Sequence, residues 1–189
     1  MDLSRVDSLA LLRMYADILT TLNRRTVLRT RNAPAGDLAE YLTAAVYEGT
    51  LASQSKASWD VEAADGRLLQ VKSLVVGPGK SGGNFSPFRS WGFDAGVFVL
   101  FDSLTYGVTS AIEVPATVIE ALTTPVTHVG ATARRVTPVN LRKAAQSAED
   151  DALAGGPPSP YRDQTSKFAA QMLLLGDQFD PVVTDGLPL

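Results

Sequence analysis

Alternating apolar and polar residues over 58–73 predict two short antiparallel strands joined by a turn. In the first strand the apolar positions are Trp59, Val61 and Ala63, and the polar positions are Ser58, Asp60 and Glu62. In the second strand Leu69 and Val71 alternate with Gln70 and Lys72. A period of two is typical of a half-buried strand. Between the strands, the turn Ala64-Asp65-Gly66 ends in a glycine that can adopt a positive φ without strain.

The length of the turn decides which side chains share a face. A two-residue loop would pair Asp60 with Val71 and would put Gln70 and Lys72 on the other face. A three-residue loop with a bulge at Gly66 pairs Asp60 with Gln70, and it gathers the apolar residues of both strands on one face. Because a slip of one residue exchanges the faces, the apolar pattern favours the three-residue loop.

The remaining pattern predicts helices and strands around this hairpin. Helices are expected over 3–24, 37–48, 115–122, 139–148 and 161–175, and strands over 93–102, 105–112 and 134–136. The nearly continuous apolar run at 93–102 is typical of a buried central strand. Residues 149–160, rich in glycine and proline, are expected to be a linker, and the end of the chain a poorly ordered tail.

The composition limits the metals, partners and location that we expect for this protein. The 189-residue chain has no cysteine and one histidine, so any bound metal should have oxygen ligands, which indicates magnesium, manganese or calcium. A net charge of −3 argues against a protein that coats DNA indiscriminately. The sequence shows no run long enough to span a membrane and no secretory signal, so we expect a cytoplasmic protein that does not bind membranes.

Asp60, followed after nine residues by Gln70-Val71-Lys72, resembles the active-site hairpin of the PD-(D/E)xK nuclease superfamily. The preceding helix, with Gly36-x-x-x-Glu40, is similar to the helix on which such nucleases carry an acidic residue. The phrases RNAPAGDLAEYL and SWDVEAADGRLLQVKS resemble an uncharacterised bacterial branch of that superfamily with a Gln-x-Lys motif.

The resemblance implies a restriction-endonuclease-like α/β core with a central mixed sheet of about four to five strands flanked by helices. The nuclease-like domain would cover residues 1–148, with a linker and a helical or flexible tail at 149–189. It further implies an Mg²⁺- or Mn²⁺-dependent DNA endonuclease that serves restriction or phage defence. DNA is the expected partner, and the chain could form a homodimer.

The same resemblance assigns the site residues. Asp60 would be the central metal ligand, joined by the side-chain oxygen of Gln70 and the backbone carbonyl of Val71. Lys72 would position the attacking water or stabilise charge on the phosphate. Glu40 would bind the metal directly or through water.

Three other interpretations remain open. Gln70 replaces the acidic residue of the motif, so the chain could be a catalytically degenerate module that binds nucleic acid or serves as a scaffold. The chain could also be an interaction protein that uses its terminal helix. From the alternation alone, the polar residues of the hairpin could simply be a solvated face.

Glu40 has an alternative explanation as well. It lies three residues after Asp37, which is the spacing of a capping-box variant. At 100° per residue it is about 200° from Leu38, so it can face the hairpin only if the sheet contacts the helix away from its main apolar stripe.

Basic residues that could contact phosphates are Arg29, Arg31, Lys80 and Arg89. The cluster that contains Arg29 and Arg31 could equally be a solvated helix end. The glycine-rich segment 77–92, which contains Lys80 and Arg89, could be a mobile DNA-contacting flap or a linker. Gly79-Lys80-Ser81 is not a P-loop, because Leu74 stands where that motif requires glycine and no helix pattern follows.

Overall fold

A six-stranded mixed sheet flanked by helices forms the centre of the protein. The computed structural model describes residues 3, 5–6, 8–28, 34–53, 58–77, 83–102, 105–125 and 133–177. The helices are α1 (Ser8–Arg24), α2 (Ala35–Val46), α3 (Ala116–Leu122), α4 (Pro138–Leu153) and α5 (Thr165–Asp177). The strands are β1 (Thr50–Leu51), β2 (Val61–Glu62), β3 (Leu68–Val76), β4 (Ala95–Asp102), β5 (Val108–Pro115), β6 (Thr124–Pro125), β7 (Arg134–Arg135) and β8 (Arg162–Asp163).

The strand order β1-β2-β3-β4-β5-β8 confirms the predicted α/β core, with six strands instead of four to five. β4 pairs in parallel with β3 and antiparallel with β5, so the expected central strand is confirmed. Strands β6 and β7 form a separate two-stranded sheet. None of the described helices is both long and apolar enough to cross a bilayer.

The two faces of the sheet are covered by different layers. On one face, Leu69, Val71 and Val97 pack in a core that also contains residues of α1, α2 and α5. On the other face, Phe98 packs against Phe85 and other residues of the crossover 83–94, which connects β3 to β4. Two parallel strands that are consecutive in the sequence, such as β3 and β4, need a crossover of this kind.

The hairpin has the three-residue register that the apolar alternation favours. Val61 pairs with Leu69, and the amide of Ala63 donates to the carbonyl of Arg67, so Ala64-Asp65-Gly66 is the loop. Gly66 has a φ of +83°. The register is regular only up to Val61: the amide of Asp60 donates to the carbonyl of Leu69, and Trp59, predicted on the face of Val61, packs against the core of the opposite face.

Several predicted boundaries were wrong. α1 begins at Ser8 instead of residue 3, and β5 lies three residues later than predicted. α4 extends to Leu153, into the expected linker, because Thr137 caps its start and its interior has no helix breaker. The expected linker is therefore partly helical, and β8 follows it before α5 begins.

The C-terminal segment is packed into the core. β8 pairs with the edge of β5, and the amide of Ala111 on β5 donates to the hydroxyl of Thr165 at the start of α5. Phe168 of α5 is fully buried in the same core as α2. The chain after residue 148 thus contributes a strand and a helix to the central fold.

A buried carboxylate joins the elements around one end of the sheet. Glu113 of β5 accepts hydrogen bonds from the Tyr47 hydroxyl at 2.7 Å and from Arg67 at 2.5 Å, and Arg162 of β8 lies 3.5 Å away. Burial, together with the bond to Glu113, raises the pKa of Tyr47 far above its usual range. Two arginines and a phenol therefore satisfy a carboxylate that would otherwise be costly to bury.

We expect Gly66→Ala to lower the free energy of unfolding by about 1–2 kcal/mol, because alanine is strained at a positive φ. Gly36→Ala is the matched control, since a Cβ would meet no atom within 4 Å at either glycine. Gly36 lies in α2, where alanine should add about 0.5 kcal/mol. Urea unfolding of both variants measures the difference, and equal effects would contradict the assigned turn conformation.

Candidate functional site

The polar face of the hairpin brings Asp60, Gln70 and Lys72 together. Asp60 Oδ2 accepts a hydrogen bond from the backbone amide of Val71 at 2.7 Å and a second one from the side-chain amide nitrogen of Gln70. Lys72 extends from the same face, with Nζ 5.0 Å from the centre of the Phe88 ring. A carboxylate, an amide and an ammonium group are therefore neighbours.

Asp60 also ends the ladder between β2 and β3. The amide of Asp60, one residue before β2, donates to the carbonyl of Leu69, so the regular alternation of bonded pairs stops at this point. The amide of Val71 donates to the carboxylate of Asp60 instead. The side chain thus replaces a backbone acceptor where the strands separate. Because the amide and carbonyl of a residue face the same neighbouring strand, the Val71 carbonyl faces this gap too.

The orientation of Gln70 differs from the predicted one. Its nitrogen, not its oxygen, faces Asp60, because a carboxylate can only accept and the amide must donate. The predicted use of the Gln70 oxygen as a metal ligand beside Asp60 therefore requires the amide to turn. Gln70 is buried, so this hydrogen bond compensates for the loss of water around both groups.

Burial dominates the electrostatics of Lys72. It lowers the pKa of the ammonium group below the usual range for a lysine, while the carboxylates of Asp60 and Glu40 raise it and Arg89 lowers it further. Aromatic residues of the crossover supply the apolar surroundings. Two carboxylates and a second cation are thus close enough to Lys72 to shift its pKa.

Glu40 approaches from α2 because the buried stripe of this helix is wider than the large apolar residues indicate. Ala39 and Thr43 are fully buried beside Leu38 and Leu42, and the Thr43 hydroxyl is satisfied by the carbonyl of Ala39. At 100° per residue Glu40 lies about 60° from Thr43, at the edge of the buried face. Glu40 is accordingly half-buried.

The capping-box interpretation of Glu40 was wrong. Pro34 is at the N-cap and makes no side-chain capping bond, so Asp37 lies inside the first turn of the helix. Its charge still suits the positive end of the helix dipole.

Of the four predicted basic residues, the structure describes Arg89. Arg89 is exposed, and its charge lowers the pKa of Lys72, so it lies on the same side of the sheet as Asp60. Arg29, Arg31 and Lys80 lie outside the described residues. Glu62, which shares the hairpin face, is exposed and is not among the charges that act on Lys72.

The described part of the glycine-rich segment is a packed cover, and neither a flap nor a linker. Phe85 and Phe88 are almost completely buried against the sheet. Their contribution to the site was missed because glycines and serines between them obscured the pattern. The recurrence of Phe85, Phe88, Trp91 and Phe93 within nine positions was the available signal.

Two clefts lie elsewhere in the described part of the structure, and neither shares a residue with the hairpin site. An apolar cleft of about 490 Å³ lies between α1, α2 and α5, and its lining includes Leu19, Leu38 and Met172. Among the described residues that line it, Arg25 is the only charged one. The cleft therefore lacks the paired titratable groups on which acid–base chemistry depends, whereas the hairpin site has them.

The donor set of the hairpin site is small. Over the described ranges, no three His, Cys, Asp or Glu side chains come together as a metal-binding group. Asp60 and Glu40 supply two carboxylates, and the Val71 carbonyl faces the same gap. Magnesium is often held by one or two carboxylates together with substrate phosphates and water, so the residues present are compatible with it.

In comparisons with known proteins, no protein-family model matches the chain, and no curated protein matches it in sequence.

We expect Asp60→Asn to lower the pKa of Lys72 further, because the variant removes a negative charge that favours the ammonium form. Glu40→Gln should act in the same direction and more weakly. NMR titration of lysines labelled at the side chain measures the change. The matched control is Glu62→Gln, which should leave the Lys72 titration unaltered; a Lys72 pKa that stays constant in Asp60→Asn would disprove the coupling.

Proposed function

We propose that this protein is a divalent-metal-dependent endonuclease that hydrolyses phosphodiester bonds of DNA at the Asp60–Lys72 site. The observation that carries the proposal is an Asp60 carboxylate bound by Gln70 and Val71 beside Lys72, whose pKa the charges of Asp60 and Glu40 raise. Carboxylates and a partly desolvated lysine in a fixed arrangement are the groups that this reaction requires.

The charges at the site also support a cationic cofactor. Asp60 and Glu40 carry two negative charges, and Lys72 and Arg89 carry two positive charges in their protonated forms. The four formal charges cancel, so the site by itself has no net attraction for an anionic phosphodiester. When bound by Asp60, Glu40 and the Val71 carbonyl, Mg²⁺ or Mn²⁺ would supply that attraction and the Lewis acidity for activating water.

The residues of the chain position the reaction. Hydrogen bonds from Val71 and Gln70 fix the direction of the Asp60 carboxylate, so little reorganisation is needed when a cation or phosphate arrives. Lys72 presents its ammonium from a site where solvent screening is weak, and its charge acts strongly on a phosphate oxygen. Arg89, being exposed, is placed to contact a phosphate farther along the strand.

A degenerate nucleic-acid-binding module is the second candidate, and the Gln70 contact favours it. The amide occupies one oxygen of the expected metal ligand, and a glutamine brings no charge of its own. In such a module the Asp60–Gln70 bond would be purely structural. Both candidates predict binding to nucleic acid, and only the first predicts cleavage.

We expect Asp60→Ala to abolish plasmid cleavage in Mg²⁺ or Mn²⁺, because it removes the main ligand. Lys72→Met should slow cleavage by about 10²–10⁴-fold while metal binding persists, since the lysine acts on the water or the phosphate. Gel assays of nicked and linear plasmid measure the rates, with Lys143→Met on the exposed face of α4 as the control. Cleavage unchanged in Asp60→Ala, or absent from the native protein, would contradict the endonuclease.

We expect Gln70→Glu to tighten Mg²⁺ binding, because two facing carboxylates repel each other until a cation lies between them. Gln146→Glu is a matched control, since Gln146 also donates to an aspartate, Asp150, but on an exposed helix face. Calorimetric titration with MgCl₂ should show a higher affinity for Mg²⁺ in Gln70→Glu and an unchanged affinity in Gln146→Glu. Equal responses would show that Gln70 is not at a cation site.

A further inference from the structure

Three aromatic rings are stacked beside Lys72. Trp91 lies over Phe88 with ring centres 5.5 Å apart and 19° between the planes, and over Phe93 at 5.7 Å and 27°. Phe88 and Phe93 are themselves 5.4 Å apart. Both phenylalanines are buried, whereas Trp91 is half-buried and keeps part of its surface accessible.

The stack is close to the cations of the site. Lys72 Nζ is 5.0 Å from the centre of Phe88, the same ring that Trp91 contacts at 5.5 Å, so the ammonium and the indole centre are at most about 10.5 Å apart. Arg89, exposed and two residues before Trp91, also acts on Lys72. A flat aromatic surface and two positively charged side chains are thus close together.

This combination is what proteins use to hold single-stranded nucleic acid. Cations follow the phosphates, and an aromatic side chain stacks on a base regardless of its identity. Within a duplex the faces of the bases are covered by their neighbours. A base can therefore reach Trp91 only from a single strand, a frayed end or a distorted duplex.

We propose that Trp91 is a stacking platform for an unpaired base, and that the site acts on single-stranded or locally unpaired nucleic acid. This inference rests on the nucleic-acid substrate proposed above and specifies its class. Phe88 and Phe93 hold the indole plane rigid, so little conformational entropy is lost when a base stacks on it. Lys72 and Arg89 then contact the phosphates on either side.

The test uses fluorescence anisotropy in EDTA, with a labelled single strand and the matched blunt duplex as probes. The native protein should bind the single strand more tightly. Trp91→Leu should weaken single-strand binding about tenfold and change duplex binding little, while Trp91→Phe retains most of the affinity. Tyr15→Leu, which removes an exposed aromatic residue from α1, is the control and should have no effect.

A second measurement covers the case in which Trp91→Leu does not fold. The chain has two tryptophans, so Trp59→Phe leaves Trp91 as the single indole, and its emission should be quenched by the single strand. Absence of quenching, native single-strand affinity in a folded Trp91→Leu, or equal loss for strand and duplex would overturn the proposal. Binding is measured in EDTA, so a Trp91-dependent preference in a native protein that does not cleave would refute only the endonuclease.

Discussion

The register of the hairpin is the constraint on which the arrangement of the whole sheet depends. β3 pairs in parallel with β4, and β4 pairs antiparallel with β5, so the register of β3 fixes which residues share a row across the sheet. The row of Lys72 continues through Phe98 and Ile112, and all three face the crossover. A slip of one residue would put the lysine among the helices and Val71 under the aromatic residues.

The two layers around the sheet have different effects on the site. The helical layer brings Glu40 to the edge of the hairpin, because small residues let α2 lie close to the strands. The aromatic layer removes water from Lys72 and thereby sets its pKa. Attraction by carboxylates and desolvation by phenylalanines therefore act on one ammonium group from separate parts of the chain, and each can be altered without the other.

The sequence predicts this arrangement wherever its apolar residues recur with a clear period. The alternation over 58–73 gave the register of the hairpin, and the apolar run at 93–102 gave the central strand. Strands of two residues, such as β8, are too short to show a period, so the closure of β5 by the C-terminal segment was missed. The direction of the Gln70 amide depends on hydrogen-bonding partners, which composition and spacing do not encode.

The sheet ends in two-residue strands at both edges, β1 at one and β8 at the other. Edge strands this short present few free backbone groups, and proteins use them to prevent aggregation by strand addition. Addition of a further strand at β1 or β8 is therefore disfavoured. Exposed apolar residues such as Ile18, Leu173 and Leu174 lie instead on the helices.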